Sequence, residues 1–335
     1  MTVTDRKPKR SGPALPPKPA NDRIRLGIST CLLGQKVRYD GGHKRDPFLI
    51  ETLGRYVEWV PVCPEVECGL TVPREAMRLV GDPASPHLVT IRTGNDHTRR
   101  MLRWAAKRVR QLEAEGLCGY VFKSRSPSSG MERVKVYDDH GNARKVGIGL
   151  FARAFMDHFP LLPVEDEGRL HDPRLRENFI ERVFCLKRYR DMVRSRGTRG
   201  ALVDFHADHK LLLLSHSPQV LREMGRLVAR GKELAPAQLF AEYEALMLKA
   251  LKLLATAKKH ANCLQHMLGY FKAHLTADEK QELLEVIDRC RTGMVPLVVA
   301  ITLMQHYVRK IGEPYLARQT YLNPHPLELK LRNHV

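Results

Sequence analysis

The sequence reads as an α/β protein: a mainly parallel sheet with helices on both faces, followed by an all-α helical domain. Two observations carry that reading. Between residues 24 and 164, short apolar runs alternate with amphipathic stretches, the order that builds a parallel sheet with helices on its faces. After Pro173 the strand-like runs stop, and each segment repeats with a period near 3.6. Length agrees, because 335 residues suffice for two domains at about 150 residues each. The expected division is a disordered tail over 1–22, an α/β domain over 23–170 and a helical domain over 171–335.

The tail holds five prolines and no periodicity. Ile24–Ile28 is the first apolar strand. Asp46-Pro47 opens a helix to about Tyr56, and Val57–Val62 is the second strand. His87–Arg92 alternates as a strand, and a helix runs from about Thr98 to Glu115 with Ala105, Ala106, Val109 and Leu112 on its apolar face. Gly119–Lys123 and Arg133–Tyr137 are strands, the latter followed by a turn at Asp139-His140-Gly141-Asn142. Leu150–His158 is helical and Leu161–Val164 is a short strand. The helical segments expected beyond are Arg174–Arg194, Ala201–Leu214, Gln219–Arg230, Ala237–Lys258, Asn262–His274, Ala277–Arg291 and Pro296–Ile311. Gly197, Gly200, Pro218, Gly231, Pro236, Gly293, Gly312 and Pro314 separate them.

Charge narrows the function classes. The chain carries 56 basic against 37 acidic residues, and 38 of the basic ones fall in residues 1–200. Such an excess favours a polyanion or a phosphate-bearing substrate, or it is a solvated basic surface. No DNA-binding motif is present. No run reaches the roughly 20 apolar residues of a membrane span, and 1–22 lacks the apolar core of a secretory signal, so a cytoplasmic protein without a membrane partner is expected.

Ligands of an open parallel sheet bind beyond the carboxyl ends of its strands. Three unusual loops stand there. Ser29-Thr30-Cys31-Leu32-Leu33-Gly34 leads to Arg38-Tyr39-Asp40-Gly41-Gly42. Cys63-Pro64-Glu65-Val66-Glu67-Cys68-Gly69-Leu70 leads to Val72-Pro73-Arg74. Ser124-Arg125-Ser126-Pro127-Ser128-Ser129-Gly130 follows the strand that ends at Lys123. Cys31, Cys63 and Cys68 are either thiolate ligands of a metal or buried thiols; the spacing alone leaves both open. Cys118, at the far end of its strand about 16 Å away, reads as a core thiol.

These residues also carry a family resemblance. Cys31-Leu-Leu-Gly, Arg38-Tyr-Asp-Gly-Gly, Cys63-Pro-Glu with Gly69-Leu70 and Pro73-Arg74, and Ser126-Pro-Ser-x-Gly130 together resemble the thiouracil desulfidase (TudS-like) family over about residues 23–165. From Phe205-His-x-x-His209-Lys to Tyr321-Leu-x-Pro-x-Pro326 the chain is similar to the YbgA-like domain of unknown function.

The first resemblance implies a [4Fe-4S] cluster with three protein thiolates and one open iron. Such a centre hydrolyses the C–S bond of a thiolated pyrimidine without net redox change. Cys31 and Cys63 match two of the family's cysteines; Ser129 stands where the third belongs, and Cys68 is the thiol expected to replace it, since a serine hydroxyl is a poor ligand for a soft metal. By position Glu65 is implied as general acid/base and Ser126 as substrate-orienting or proton-relaying, with a salt bridge to Arg74 and a turn residue as their plain structural alternatives. Arg38, Tyr39, Asp40, Arg74, Ser128 and Ser129 are the expected substrate contacts, and Arg92 is a further candidate for anion contact. The substrate is then a thiolated nucleobase, a nucleotide or RNA. The alternative is a non-enzymatic Fe–S or thiol stress sensor, or an RNA-binding accessory protein. In the helical domain, His206, His209 and His216 fall on one face of their helix, as a second metal site, a proton relay or histidines bonded to carboxylates and carbonyls.

Overall fold

The structure is a computed structural model and describes residues 23–334; the tail expected over 1–22 lies outside them. The first half holds strands β1 (Ile24–Ser29), β2 (Val57–Val62), β3 (Met77–Val80), β4 (His87–Thr90), β5 (Tyr120–Phe122), β6 (Val134–Tyr137), β7 (Ala143–Gly147) and β8 (Val164–Asp166). Its helices are α1 (Pro64–Glu67), α2 (Thr98–Glu113) and α3 (Leu150–His158). The principal sheet has the order β2-β1-β5-β8 and is parallel throughout, with Ser29 opposite Val62 and Ile28 opposite Val121.

A second sheet, β4-β3-β6-β7, was not legible in the sequence. It pairs β3 with β4 and β6 with β7 antiparallel, and β3 with β6 parallel. It captures the two stretches around His87 and Arg133 that read as members of the first sheet. β7 escaped notice because Ala143–Val146 is solvent-exposed and carries Arg144 and Lys145; an edge strand that buries no face shows no apolar alternation. The helix expected over 46–56 is instead a five-residue π-turn, Phe48–Thr52, followed by a 3₁₀ turn, Leu53–Arg55.

Helices flank the principal sheet on both faces. Tyr120 packs its ring 4.7 Å from that of Phe155 on α3. On the other face of the strand, a Cβ at Gly119 would lie 3.0 Å from Val183, which belongs to α4 (Pro173–Ser195). Glycine there lets the helix approach the strand. The first long helix of the second half thus closes the sheet of the first, and one continuous apolar core runs from Leu26 and Val121 through Ile180 and Val183 to Leu212 and Met247.

The remaining helices are α5 (Arg199–His216), α6 (Pro218–Ala229), α7 (Pro236–Lys252), α8 (Ala257–Phe271), α9 (Ala277–Arg291), α10 (Leu297–Ile311) and the short α11 (Pro314–Ala317). Their starts carry sequence signals: Asp172, Thr198 and Ser217 cap α4, α5 and α6 through their side chains, and Thr276 with Glu279 forms a reciprocal capping box on α9. One long segment, 237–258, differs from expectation. The helix stops at Lys252, and the freed Leu253 carbonyl accepts hydrogen bonds from His216 Nδ1 and Asn178 Nδ2. Among the described residues no helix is long and apolar enough to cross a membrane.

Candidate functional site

The carboxyl ends of β1, β2 and β5 open into a crevice of about 540 Å³. Three connections wall it. After β1 the chain makes a 3₁₀ turn, Thr30–Leu33, which places Cys31 on the lining; Lys44 N–H ties the turn down by donating to the Cys31 carbonyl at 2.9 Å. After β2, Cys63 precedes α1, and its N–H donates to Glu67 Oε1 at 2.9 Å. After β5 the chain turns through Ser124–Gly130, and Lys123 N–H donates to Ser29 Oγ at 2.9 Å, clamping the third wall to the first.

Glu65 is the carboxylate of this site. Its Oε1 accepts from Ser128 Oγ, Arg74 Nη2 lies 3.9 Å from its Oε2, and that same oxygen is 3.7 Å from Cys63 Sγ. Arg74 is held in turn, donating to the Val37 carbonyl at 3.1 Å. Ser126 Oγ accepts from Ser129 N–H at 3.1 Å and lies 3.0 Å from Ser128 Oγ, so Ser126, Ser128 and Glu65 form a continuous hydrogen-bonded line. Gly149 is what lets this loop seat. A Cβ there would stand 2.5 Å from the Ser128 carbonyl, at the start of the helix whose Phe151 N–H donates to that carbonyl at 2.9 Å.

Burial sets the state of the two thiols. It pushes Cys63 up to about 12, with the nearby Glu65 charge adding to the effect, and Cys31 up to about 11, where Lys123 opposes it. Both are neutral thiols at physiological pH, and a bound cation is what turns such groups into thiolates. Both thiols line the same crevice.

Of the residues singled out by sequence, Cys31, Cys63, Glu65, Ser126, Ser129, Arg38, Tyr39 and Arg74 line the crevice. Ser128 sits behind the wall, fully buried, and acts on it through Glu65. Asp40 is off the lining; its Oδ1 accepts from Gly42 N–H at 3.0 Å and its Oδ2 from Arg38, which lies 5.3 Å over the Tyr39 ring. Arg92 is also outside, paired with Glu75.

Cys68 is the main departure. Its Sγ donates to the Glu65 carbonyl at 3.2 Å, and the residue packs in a small separate core with Leu79, Leu88 and Met101. Helical geometry explains the placement: five residues at about 100° each turn Cys68 about 140° away from Cys63. Cys68 thus stands off the crevice lining that carries Cys31 and Cys63. Cys118 is a core thiol, as expected. Sequence reasoning passed over Lys44, Lys123 and Arg125. Lys123 was findable, since it ends a parallel strand at the ligand-bearing edge. Lys44 and Arg125 have no carboxylate partner among the described residues.

A cavity of about 700 Å³ adjoins the crevice and shares Met77, Ser124, Arg125 and Pro127 with it. Arg78, Arg133, Lys135 and Lys145 line it together with Glu132 and Asp166, and no thiol stands on its lining.

The three histidines expected on one face of α5 have separate roles. His206 meets the Tyr243 hydroxyl at 3.1 Å, His209 stacks on Phe205 and accepts from Arg188 Nε, and His216 faces Glu181. They do not converge.

Comparison with known proteins gives two matches along the chain. Residues 26–167 match the family model described as 2-thiouracil desulfurase, and residues 210–326 match the protein family of unknown function DUF1722. The chain is 30% identical over 161 residues to the uncharacterized protein YbgA of Escherichia coli K12, covering 48% of this chain and 95% of that one. It is 29% identical over 108 residues to the uncharacterized protein YbbK of Bacillus subtilis 168, covering 31% and 71%. A solved structure described as the [4Fe-4S]-dependent thiouracil desulfidase TudS is 30% identical, with 45% of this chain and 95% of that chain covered and a TM-score of 0.38.

Proposed function

We propose, for a chain that belongs to the 2-thiouracil desulfurase family through residues 26–167 and to the DUF1722 family of YbgA through residues 210–326, that the crevice hydrolyses the C–S bond of a thiolated pyrimidine. The observation that carries this reading is the convergence of Cys31, Cys63 and Glu65 at the carboxyl edge of a parallel sheet, with Glu65 oriented by Ser128 and Arg74. The reaction balances without an oxidant. The oxygen of water bonds to the ring carbon, the C–S bond breaks, and sulfur leaves as hydrogen sulfide.

In this reading Glu65 takes a proton from that water and returns it to the ring nitrogen or the departing sulfur. Ser128, hydrogen-bonded to Glu65 Oε1 and backed by Ser126, fixes which carboxylate oxygen faces the crevice. Lys44 and Arg125 are the cations free to meet a phosphate, and the adjoining basic cavity has room for the sugar–phosphate of a nucleotide or an RNA.

The crevice does not fit a [4Fe-4S] cluster held by three thiolates. It offers two thiols, its third candidate donor is the Ser129 hydroxyl, and Cys68 faces another core. The proton and substrate steps above rest on Glu65, Ser128 and the cations of the crevice alone. A second reading follows from that same serine: a non-enzymatic thiol sensor or RNA-binding accessory that keeps the crevice for recognition.

The test is anaerobic purification and reconstitution with iron and sulfide, iron and sulfide analysis, and assay of sulfide release. The substrates are thiouracil, a thiouridine nucleotide and an RNA containing it. Release that disappears in Glu65→Gln supports the hydrolase. No release from any of the three, with RNA binding that falls steeply with salt, transfers the function to recognition. Cys68→Ala in parallel reports whether that thiol contributes to iron retention.

A further inference from the structure

The helical half contains a second polar cluster that the proposed reaction does not use. Glu177 and Glu181 lie one turn apart on α4, and both are buried. Arg332 reaches them from the C-terminal segment, donating from Nε to Glu177 Oε1 at 3.0 Å and from Nη2 to Glu181 Oε1 at 2.7 Å. Two carboxylates thus face one guanidinium. Burial and the neighbouring Glu181 charge push the Glu177 carboxyl up to about 8, while Arg332 holds Glu181 low.

Two histidines turn toward the same pair in the same manner. His216, the last residue of α5, donates from Nδ1 to the Leu253 carbonyl at 2.6 Å, leaving Nε2 3.1 Å from Glu181 Oε2. His325 donates from Nδ1 to the Pro326 carbonyl at 3.2 Å, and its Nε2, shut off from solvent, has no hydrogen-bond partner. One donor atom each from Glu177, Glu181 and His325 lie within 4.8 Å of one another. A bare imidazole nitrogen buried beside carboxylates is an unmatched acceptor next to anions, and it is costly as it stands. An imidazole whose other N–H is anchored on a backbone carbonyl is also the arrangement in which histidine ligates metal.

We propose that Glu177, Glu181 and His325, with His216 beside them, bind one divalent first-row transition-metal ion. A mixed imidazole and carboxylate set suits zinc, manganese or ferrous iron and not the purely oxygen-liking magnesium or calcium. Binding the ion adds a cation to two carboxyl groups that now share one guanidinium. Its ligands come from α4 and the C-terminal segment, so it ties two separate parts of the helical half together. A cavity of about 530 Å³ lined by Glu177, Glu181 and His216 gives it a path to solvent.

The test uses the full chain carrying Cys31→Ala and Cys63→Ala, which removes the crevice thiols as competing ligands. The chain is stripped with a chelator, titrated with zinc by calorimetry, and analysed by X-ray absorption at the zinc edge. One equivalent bound, with nitrogen and oxygen but no sulfur around the zinc, is the expected result. His325→Ala and Glu177→Gln, on different elements, weaken binding by about tenfold or more. His206→Ala, a control on α5, leaves it unchanged. The assignment is overturned by absence of uptake, by sulfur in the zinc shell, or by uptake that survives both ligand variants. The absorption spectrum is read on unaltered ligands, so a variant that misfolds does not decide the outcome.

Discussion

At the crevice, Glu65 shares its oxygens with a serine and a half-engaged arginine 3.9 Å away, and the space beside it is open. In the helical half, Glu181 is 1% exposed, with Arg332 on one oxygen and His216 on the other. The first arrangement leaves a carboxylate able to exchange protons with something that enters. The second locks a carboxylate among groups that the fold itself supplies. The difference shows in connectivity. The crevice is built from loops that each follow a strand end, whereas the buried cluster joins residues 151 positions apart. Polar groups at strand ends are positioned for chemistry by a sheet that is stable without them; those inside the bundle are part of what holds it closed.

The contrast is tested most severely at Glu65. Glu65→Gln lowers sulfide release by about 10²–10⁴-fold, with the thermal unfolding midpoint nearly unchanged; a large loss of stability instead would make this carboxylate structural. Arg332→Ala does the reverse. It strands two buried carboxylates and costs about 3–5 kcal/mol of stability, read by chemical denaturation, and substrate binding in whatever protein remains folded is retained.

Acid separates the regions next. Burial holds His209 and His260 down to about 3, against 6.5 when unfolded, and Arg188 adds to the effect at His209. Because the unfolded chain binds these protons more readily, stability is full above about pH 6.5 and is lost progressively as pH falls toward 3. Helical circular dichroism against pH should show this loss, with His209→Gln reducing its slope; a flat profile across the window would falsify the buried-neutral assignment. Smallest is Thr276→Ala, which removes the α9 capping box. It costs about 1 kcal/mol and alters neither metal content nor sulfide release, a baseline against which the other changes are scaled.

How legible each region was follows from the same architecture. Cys31, Cys63, Glu65 and Ser126 could be gathered on paper because a parallel sheet sends all its strand ends to one edge, and each lies a few positions past its strand. Cys68 lies off the crevice lining although it stands only five positions after Cys63, because proximity in sequence is not proximity across a helical turn. The second sheet was hidden by strands of four or five residues, one of them exposed and charged. The helix boundaries were readable from caps and breakers, to within a few residues at most ends. The cluster around Glu181 was invisible, since its members come from α4, the end of α5 and the segment after α11, and no spacing rule relates them. His216 was noticed, but for its helix face rather than for the glutamate it meets.

The 151 residues that separate Glu181 from Arg332 also fix a sequence of events in the making of the molecule. At about 5–20 residues per second of synthesis, α4 leaves the ribosome roughly 8–30 s before the guanidinium that neutralises it. During that interval the helix that should seal the back of the sheet carries two acidic side chains on its inward surface with no counter-ion. The apolar side of α4, Ile180 and Val183, can meet the first half's strands early, whereas its acidic side waits for Arg332.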